Sequence, residues 1–462
     1  MQRFASSIPK HPSNLVQRPE RILALGFLIV ITIGTILLLL PISSQTHESI
    51  GLRHALFTST SAVCVTGLTT IDVGNTLSYF GQGILLVLIQ VGGLGFMVFT
   101  TLIMVVFGKR ISLRNRMLIK ESMNQSTLSG MVRLSLWFFG LAMVLELIGA
   151  CFLMTRMIPL YGVKLGIWYS IFHSVSAFCN AGFDLIGNYQ SMIPFAKDPV
   201  VVLTLTALIV LGGLGFSVLL ECIHFRFRMK RMSLHTKIVL YTTAVLIVGC
   251  TLLIFLLESN NPHTMGDGNL NFGEKCLNSL FQAVTFRTAG FCTIDQASLT
   301  DTSKLIGIFA MFIGASPVST GGGIKTTTIA LVFFMVVAVV RGRESIQVFK
   351  KQISVGTVRR AIAIAFIALM LILVFTCIIS VVETDKNYNV EDILFETTSA
   401  FSTTGLSSIN TPTLSSVSQW LLMPLMFFGR VGPLTMALAL AQRLENKVAN
   451  RVHYPEEKII IG

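Results

Sequence analysis

The sequence predicts an all-α polytopic membrane protein built from four parallel repeats around a pseudo-fourfold central axis. Three observations lead to this fold class. Charged residues make up only 12% of the 462 residues and hydrophobic residues 53%, whereas roughly 25% of the residues in a soluble domain are charged. Apolar runs recur along the chain, and glycine-containing segments recur between them at a nearly constant spacing.

Eight apolar runs are long enough to cross a bilayer, which takes about 20 helical residues. Six runs contain no charged residue, one contains only Glu146 and one contains only Arg430. The predicted spans are residues 22–44, 83–107, 134–155, 199–220, 238–257, 305–324, 361–382 and 420–440.

The basic residues predict the orientation of the spans. Of the 35 Lys and Arg residues, 25 lie at 1–21, 109–133, 226–237, 341–360 and 443–462. By the positive-inside bias, both termini and the three basic loops are cytoplasmic. Because the basic groups are divided among five membrane-flanking segments, the net charge of +13 indicates topology rather than a nucleic-acid surface. Residues 1–21 lack a small-residue cleavage site and are interpreted as a retained signal-anchor segment.

Four short segments between the spans repeat in register. Residues 54–63, 167–178, 276–286 and 393–401 are too short to span and suit re-entrant helices. Each runs into a glycine, and these glycines are 115, 108 and 115 residues apart: Gly67, Gly182, Gly290 and Gly405. A second glycine follows each of them after 25, 30, 24 and 24 residues: Gly92, Gly212, Gly314 and Gly429.

The register divides the chain into four units of helix, re-entrant loop and helix. The predicted repeats are 22–107, 134–225, 236–341 and 357–443, between cytoplasmic segments 1–21 and 444–462. Since each unit begins and ends on the same side, the repeats are parallel around an axis normal to the membrane.

The glycine turns predict a central pore. In hydrocarbon every backbone polar group needs a partner, so non-helical backbone is tolerated only where it lines a cavity. A ring of backbone carbonyls can replace the hydration shell of a monovalent cation. The alternative, glycines that only serve helix packing, fits the two GGLGF segments better than the four turns. The predicted coordinating residues are Val65, Thr66, Gly67, Asn180, Ala181, Gly182, Thr288, Ala289, Gly290, Thr403, Thr404 and Gly405.

The motifs taken together resemble a known family. The four turns, the doubled GGLGF, GASPVSTGGGIKT at 314–326 and GRVGPLT at 429–435 are similar to the Trk/Ktr/HKT superfamily of potassium transporters, in particular the bacterial KtrB-type membrane subunits. The resemblance covers nearly the whole chain. It implies four M1–P–M2 units whose selectivity filter holds K+, and Na+-dependent K+ uptake across the bacterial cell membrane. It also implies that Gly67 favours K+, since Na+-selective relatives have serine there.

The resemblance further implies the partners. They are a second copy of the chain, as a homodimer, and an octameric cytoplasmic ring of a KtrA-type regulatory subunit that binds ATP, ADP or NAD(H). We therefore expect no cofactor in this chain and a nucleotide only on that subunit. The GGGIKTT segment does not match a phosphate-binding loop, because Ile324 separates the glycines from Lys325 and no strand precedes it.

The third repeat contains a predicted gate. Three consecutive glycines and a proline cannot continue a helix at membrane depth, so segment 314–326 must line a cavity. We predict a mobile loop directly below the filter, opposite Arg430, whose positive charge raises a barrier to cations. The alternatives are that Arg430 binds backbone carbonyls or a carboxylate, and that Lys325 snorkels or caps a helix end. The predicted gate residues are Gly314, Ala315, Ser316, Pro317, Ser319, Thr320, Gly321, Gly322, Gly323, Lys325 and Arg430.

Two other functions compete with a gated pore. A secondary transporter of another small solute typically has inverted repeats and side-chain ligands at mid-depth, whereas these repeats are parallel. A membrane-embedded enzyme needs a polar catalytic cluster within the spans, which the sequence does not present. His173 is interpreted as a packing residue and the only histidine near a re-entrant segment, and Glu146 as an interhelical hydrogen-bonding partner.

Overall fold

The computed structural model describes residues 19–95, 131–226, 228–266, 268, 270–343, 345–386 and 388–432. These residues are mainly helical. The helices and strands are α1 (Pro19–Leu39), α2 (Leu52–Cys64), α3 (Val73–Thr76), α4 (Tyr79–Leu94), α5 (Met131–Phe178), α6 (Pro199–Leu214), α7 (Phe216–His224), α8 (Leu234–Glu258), α9 (Phe272–Thr285), α10 (Asp301–Phe312), α11 (Thr326–Val340), β1 (Ile346–Val348), β2 (Lys351–Ile353), α12 (Val355–Val382), α13 (Val390–Ser402) and α14 (Ser416–Val431).

Part of the predicted organisation falls on other residues. Most of the N-terminal segment 1–21, nearly all of the basic loop 109–133, the last parts of the spans 83–107 and 420–440, and the tail 444–462 lie outside the described residues. One element departs from the all-α prediction, because β1 and β2 form an antiparallel hairpin between α11 and α12. Phe349 at its turn stacks on Tyr241 of α8, with ring centroids 5.4 Å apart.

Helix α5 reverses direction within its length. Gly162 has φ 80° and ψ 169°, which is not helical. A Cβ added to Gly166 would lie 2.6 Å from the Cα of Ile158, and the Ser174 hydroxyl donates to the Glu146 carbonyl oxygen at 2.5 Å. Residues 131–161 and 163–178 are therefore two antiparallel helices, and the second corresponds to the predicted re-entrant segment 167–178.

The helices that follow the four glycine turns begin alike. Each starts after a polar residue whose side chain accepts a hydrogen bond from the first turn: Ser78, Asp198, Thr300 and Ser415. Such a cap stabilises a helix by about 1 kcal/mol. Two of these capping residues are themselves hydrogen-bonded to buried carboxylates at the ends of α8 and α12. Glu258 accepts from the backbone N–H of Thr300 at 3.0 Å, and Glu383 accepts from that of Ser415 at 2.7 Å.

Three of these helices also end alike, well before they could cross a bilayer. Helices α4, α6 and α14 each stop at a glycine with positive φ, which is Gly95, Gly215 or Gly432. At Gly215, α6 and α7 are bent by 98°, because φ 92° and ψ 139° cannot continue a helix. The prediction of 199–220 as one continuous span is therefore wrong. The last glycine of the second GGLGF segment breaks the helix.

The remaining long helices have the composition of membrane spans. In the described part of the chain, four helical segments are long and apolar enough to cross a bilayer: Arg21–Leu39, Val132–Phe178 (which contains the antiparallel pair of α5), Leu234–Glu258 and Val355–Val382. The bent pair α6–α7 would make a fifth. Their outer faces are apolar, with Val381 76% and Leu256 71% exposed. A bilayer is the solvent that suits such faces.

Candidate functional site

The four glycine turns share one backbone conformation. A left-handed residue is followed by one without positive φ and then by a glycine with positive φ. The left-handed residues are Val65, Asn180, Thr288 and Thr403, with φ of 58°, 56°, 67° and 54°, and the glycines Gly67, Gly182, Gly290 and Gly405 have φ of 96°, 70°, 83° and 88°. Such alternation points successive peptide groups to the same side. Left-handed backbone is unfavourable for valine and threonine, so the recurrence of this conformation indicates a functional site.

The turns contact one another in strict rotation. Each glycine faces the carbonyl oxygen of the residue that precedes the glycine of the next turn. An added Cβ would lie 2.6 Å from the oxygen of Ala181 at Gly67, 2.8 Å from that of Ala289 at Gly182 and 2.7 Å from that of Thr404 at Gly290, and at Gly405 it would overlap the oxygen of Thr66. The turns therefore form a closed ring, which we call the glycine ring, with room for backbone only.

Hydroxyl groups on the preceding helices hold the turns in place. Ser61 and Ser399 each accept a hydrogen bond from the N–H of the glycine six residues later, both at 3.1 Å. Ser176 donates to the Phe183 carbonyl oxygen at 2.8 Å, and Thr285 donates to that of Phe291 at 2.5 Å. Turns one and four are thus fixed at the glycine, and turns two and three just after it.

A second set of side chains fixes the segments that follow the turns. His173 Nε2 accepts from the backbone N–H of Leu185 at 3.1 Å, so this buried histidine braces the second turn as well as packing against aromatic rings. His173 is not the only histidine near a turn, as the sequence interpretation had it, because His54 Nδ1 lies 2.9 Å from Thr70 Oγ1. Gln282–Gln296 and Glu396–Thr411 make the corresponding contacts in the other two units.

A cavity of about 340 Å³ lies on the far side of the ring from the helix breaks. All four ring glycines line it, together with two carboxylates, Asp184 and Asp295. Burial, with a further contribution from Asp72, raises the pKa of Asp184 to about 6. The sequence interpretation missed both carboxylates. Their only signal was the position of each aspartate just after a turn.

The predicted gating loop lies against the other face of the ring. Its contacts are with three of the four left-handed residues. Thr320 Oγ1 donates to Asn180 Oδ1 at 3.4 Å, the Gly322 N–H donates to Thr403 Oγ1 at 3.1 Å, and a Cβ on Gly321 would overlap Thr288 Oγ1. The residue at this position in the first turn is Val65, which has no polar group to offer.

The rest of the loop is held by the broken helices. The Ser316 N–H donates to the Gly213 carbonyl oxygen at 3.0 Å, the Phe216 N–H donates to that of Val318 at 3.0 Å, and the Gly323 N–H donates to that of Gly429 at 3.2 Å. The remaining predicted gate residues lie in the same cluster. The Ala315 N–H donates to the Gly322 carbonyl oxygen, the Ser319 hydroxyl donates to that of Ser316, Gly314 abuts the Gly322 carbonyl, and the Pro317 carbonyl faces Gly215.

Arg430 ties the loop to the opposite side of the ring. Its guanidinium donates to the carbonyl oxygens of Thr320, in the loop, and of Gly92 and Gly93, at the end of α4. Lys325 Nζ donates to the Gly321 carbonyl oxygen within the loop at 2.7 Å. The structural alternative for Arg430, binding of backbone carbonyls, is therefore observed, and it places the positive charge beside the loop. The two interpretations are compatible.

In three of the four units the second glycine packs against backbone. Gly92, Gly212 and Gly429 lie against the carbonyl oxygens of Val63, Phe178 and Phe401, close enough that an added Cβ would overlap each oxygen. The packing interpretation of the two GGLGF segments, which contain Gly92 and Gly212, agrees with the structure. The predicted interhelical bond of Glu146 is confirmed, because Gln90 Nε2 donates to both carboxylate oxygens at 3.1 Å.

Comparison with known proteins gives consistent matches over nearly the whole chain. The family model TrkH, described as a cation transport protein, matches residues 9–451. The chain is 38% identical to the potassium/sodium uptake protein NtpJ of Enterococcus hirae over 96% of its own length and 97% of that relative. It is 39% identical to Ktr system potassium uptake protein B of Bacillus subtilis, with the same coverage of 96% and 97%.

A solved structure supports the fold. The crystal structure of the potassium transporter TrkH from Vibrio parahaemolyticus aligns with a TM-score of 0.67 at 20% identity, covering 90% of this chain and 85% of that one. At this identity the likeness concerns the fold alone.

Proposed function

Since the chain belongs to the TrkH family of cation transport proteins, we propose that it is the ion-translocating subunit of a K+ uptake system. The observation that carries this proposal is the glycine ring, in which each of four turns abuts the next and all four line one cavity. The names of the relatives, a potassium/sodium uptake protein and a Ktr system potassium uptake protein, support K+ as the ion.

In the proposed mechanism the ring is a selectivity filter with pseudo-fourfold symmetry, formed by four M1–P–M2 repeats. A K+ ion enters from the cavity of about 340 Å³ above the ring, which we call the outer cavity. It then loses its hydration shell and is held by backbone carbonyls of the four turns. Helices α2, α9, α13 and the second half of α5 end directly before the turns. Their C-terminal ends therefore direct partial negative charge toward the ion.

The loop at 314–326 is the proposed gate, with Arg430 as its latch. The contacts of the loop with Asn180 and Thr403 lie immediately below the ring, so an ion leaving the filter meets the loop first. Arg430 binds carbonyl oxygens of the loop and of α4. Release of these bonds would let the loop swing aside and would withdraw the positive charge from the path.

The assembly remains part of the proposal. We expect the chain to reside in a bacterial cell membrane with both termini in the cytoplasm, to form a homodimer, and to dock on an octameric KtrA-type ring that carries the nucleotide. The relatives named as components of a Ktr system support a multi-component transporter. Na+ dependence, by co-transport or by activation, is proposed on the same family basis.

The substitution Gly67→Ser tests the filter. A Cβ at Gly67 would lie 2.6 Å from the Ala181 carbonyl oxygen, in the ring itself. We expect the K+/Na+ preference to fall by about tenfold, equivalent to 1.4 kcal/mol, measured as uptake of each ion into proteoliposomes. Gly51→Ser is the matched control, because Gly51 also has positive φ, 83°, but open space around its added Cβ. An unchanged preference in the Gly67 variant would refute the filter assignment.

A further inference from the structure

A groove outside the pore has a chemistry that ion translocation does not use. It lies between α11 and α12 and has a volume of about 290 Å³. The apolar residues that line it come from both helices and from β1: Met335, Ala338, Val339, Ile346, Val355, Val358 and Ile362. Two cations, Arg343 and Arg359, line the same groove.

The two arginines lack partners within the described part of the chain. Both residues are exposed, and neither guanidinium group forms an ion pair or hydrogen bond there. The surrounding segment is also basic, because residues 341–360 contain six Lys or Arg and one acidic residue, Glu344. No carboxylate is among the described residues that line the groove, so the two arginines would attract an anion to it.

The walls of the groove indicate what kind of anion fits. Val339 is 66% exposed and Val355 is 67% exposed, an arrangement that water disfavours and acyl chains do not. Arg343 lies just beyond the last turn of α11 and Arg359 in the first turns of α12. The positive-inside bias assigns this end of both helices to the cytoplasmic side. The two arginines therefore lie at the level where the acyl chains of the bilayer meet the lipid headgroups.

We propose that this groove binds one anionic phospholipid. Its phosphate lies between Arg343 and Arg359, and an acyl chain runs along the apolar wall. Both arginines carry several N–H donors, the geometry suited to phosphate oxygens. Helix α11 begins directly after Lys325, at the end of the 314–326 loop. A bound lipid would therefore restrain the helix that leaves this loop. That consequence rests on the proposed function, whereas lipid binding does not.

Lipid binding is tested on the purified full chain, with phosphatidylglycerol as the probe in a phosphatidylcholine background and native mass spectrometry as the readout. We expect R343Q/R359Q to bind phosphatidylglycerol about 30-fold more weakly, equivalent to ~2 kcal/mol at about 1 kcal/mol per arginine. The control R341Q/R360Q removes the same charge from residues that do not line the groove. It should lose no more than about threefold.

A second pair of variants tests the apolar wall. Ile362→Trp fills the groove with both arginines intact and should weaken binding, whereas Ile378→Trp, elsewhere on α12 and similarly exposed, should not. Three results would overturn the proposal. Equal losses in the two arginine pairs would mean a diffuse basic field, and equal competition by glycerophosphoglycerol would mean a soluble-anion site. Unaltered lipid binding in all variants would mean that lipid does not occupy the groove and that a protein segment covers it instead.

Discussion

The glycine ring repeats one structure four times, whereas the 314–326 loop beneath it occurs once. In the ring, four distant segments adopt the same backbone conformation and each abuts the next. Directly below, one segment from a single repeat contacts three of the four turns, and one arginine closes the fourth side. Under the proposed function, the layer that surrounds an ion is repeated, and the layer that moves is not.

This difference predicts two kinds of transport defect, one for substitutions in the ring and one for substitutions in the loop. The ring contacts are backbone packed on backbone, so no single side chain can release them. The loop accepts a hydrogen bond from Arg430 and donates hydrogen bonds to Asn180 and Thr403, and one substitution can remove each of these bonds. Under the proposed function, variants in the lower layer should change how much ion passes, and variants in the ring should change which ion passes.

The largest effect that would sharpen this comparison is expected for Arg430→Gln. The variant loses charge-assisted hydrogen bonds to the loop and to α4, each worth about 1.5–3 kcal/mol, so K+ flux through the isolated chain in proteoliposomes should rise roughly 10- to 100-fold. The K+/Na+ preference should stay the same, since the ring is untouched. Lys325→Gln is the control, with a smaller rise, because Lys325 binds only a carbonyl of its own loop. A fall in flux for Arg430→Gln would contradict the latch.

A smaller effect is expected where the two layers meet. Asn180→Gly keeps the left-handed backbone of the second turn and removes only the amide, which contacts Thr288 at 3.2 Å and Thr320 at 3.4 Å. Loss of bonds worth about 0.5–1.5 kcal/mol each should raise flux and lower the K+/Na+ preference together, by roughly two- to tenfold. Asn188→Gly, at φ 55° on the outer surface, is the matched control. A change in flux alone would place Asn180 in the lower layer only.

The smallest effect concerns the outer cavity, where the repeats also differ. The pKa of Asp184 is raised to about 6, mainly by burial, so the carboxylate is charged above this pH and neutral below it. K+ uptake at limiting external K+ should therefore fall roughly two- to threefold between external pH 7.5 and 5. Asp184→Asn should show the low value throughout, and Asp295→Asn should retain the step. A step of full size in Asp184→Asn would assign the pH dependence to another group.

The sequence predicted the four glycine turns, but it did not predict several of the features around them. Four glycines in register predicted turns that meet, and the family resemblance is confirmed. The Gly-Gly-Gly and Pro317 of the third repeat predicted its broken helix, because no helix tolerates that combination. Two helices at 98° have the same apolar composition as one straight span, so the break at Gly215 left no signal in hydropathy. Asp184 follows Gly182 by two residues and His54 opens segment 54–63, but the contacts of Asp184 with the cavity and of His54 with Thr70 form only in the folded turns.

The closure of the glycine ring has a consequence for biosynthesis. Gly405 packs against the carbonyl of Thr66, and Arg430 reaches Gly92 across 338 residues of chain. Such distant contacts form late and cost the most loop-closure entropy. A ribosome-bound chain that has not yet made the fourth glycine turn still lacks one quarter of the ring. Under the proposed function, the ring around the ion path is therefore complete only when translation is nearly finished.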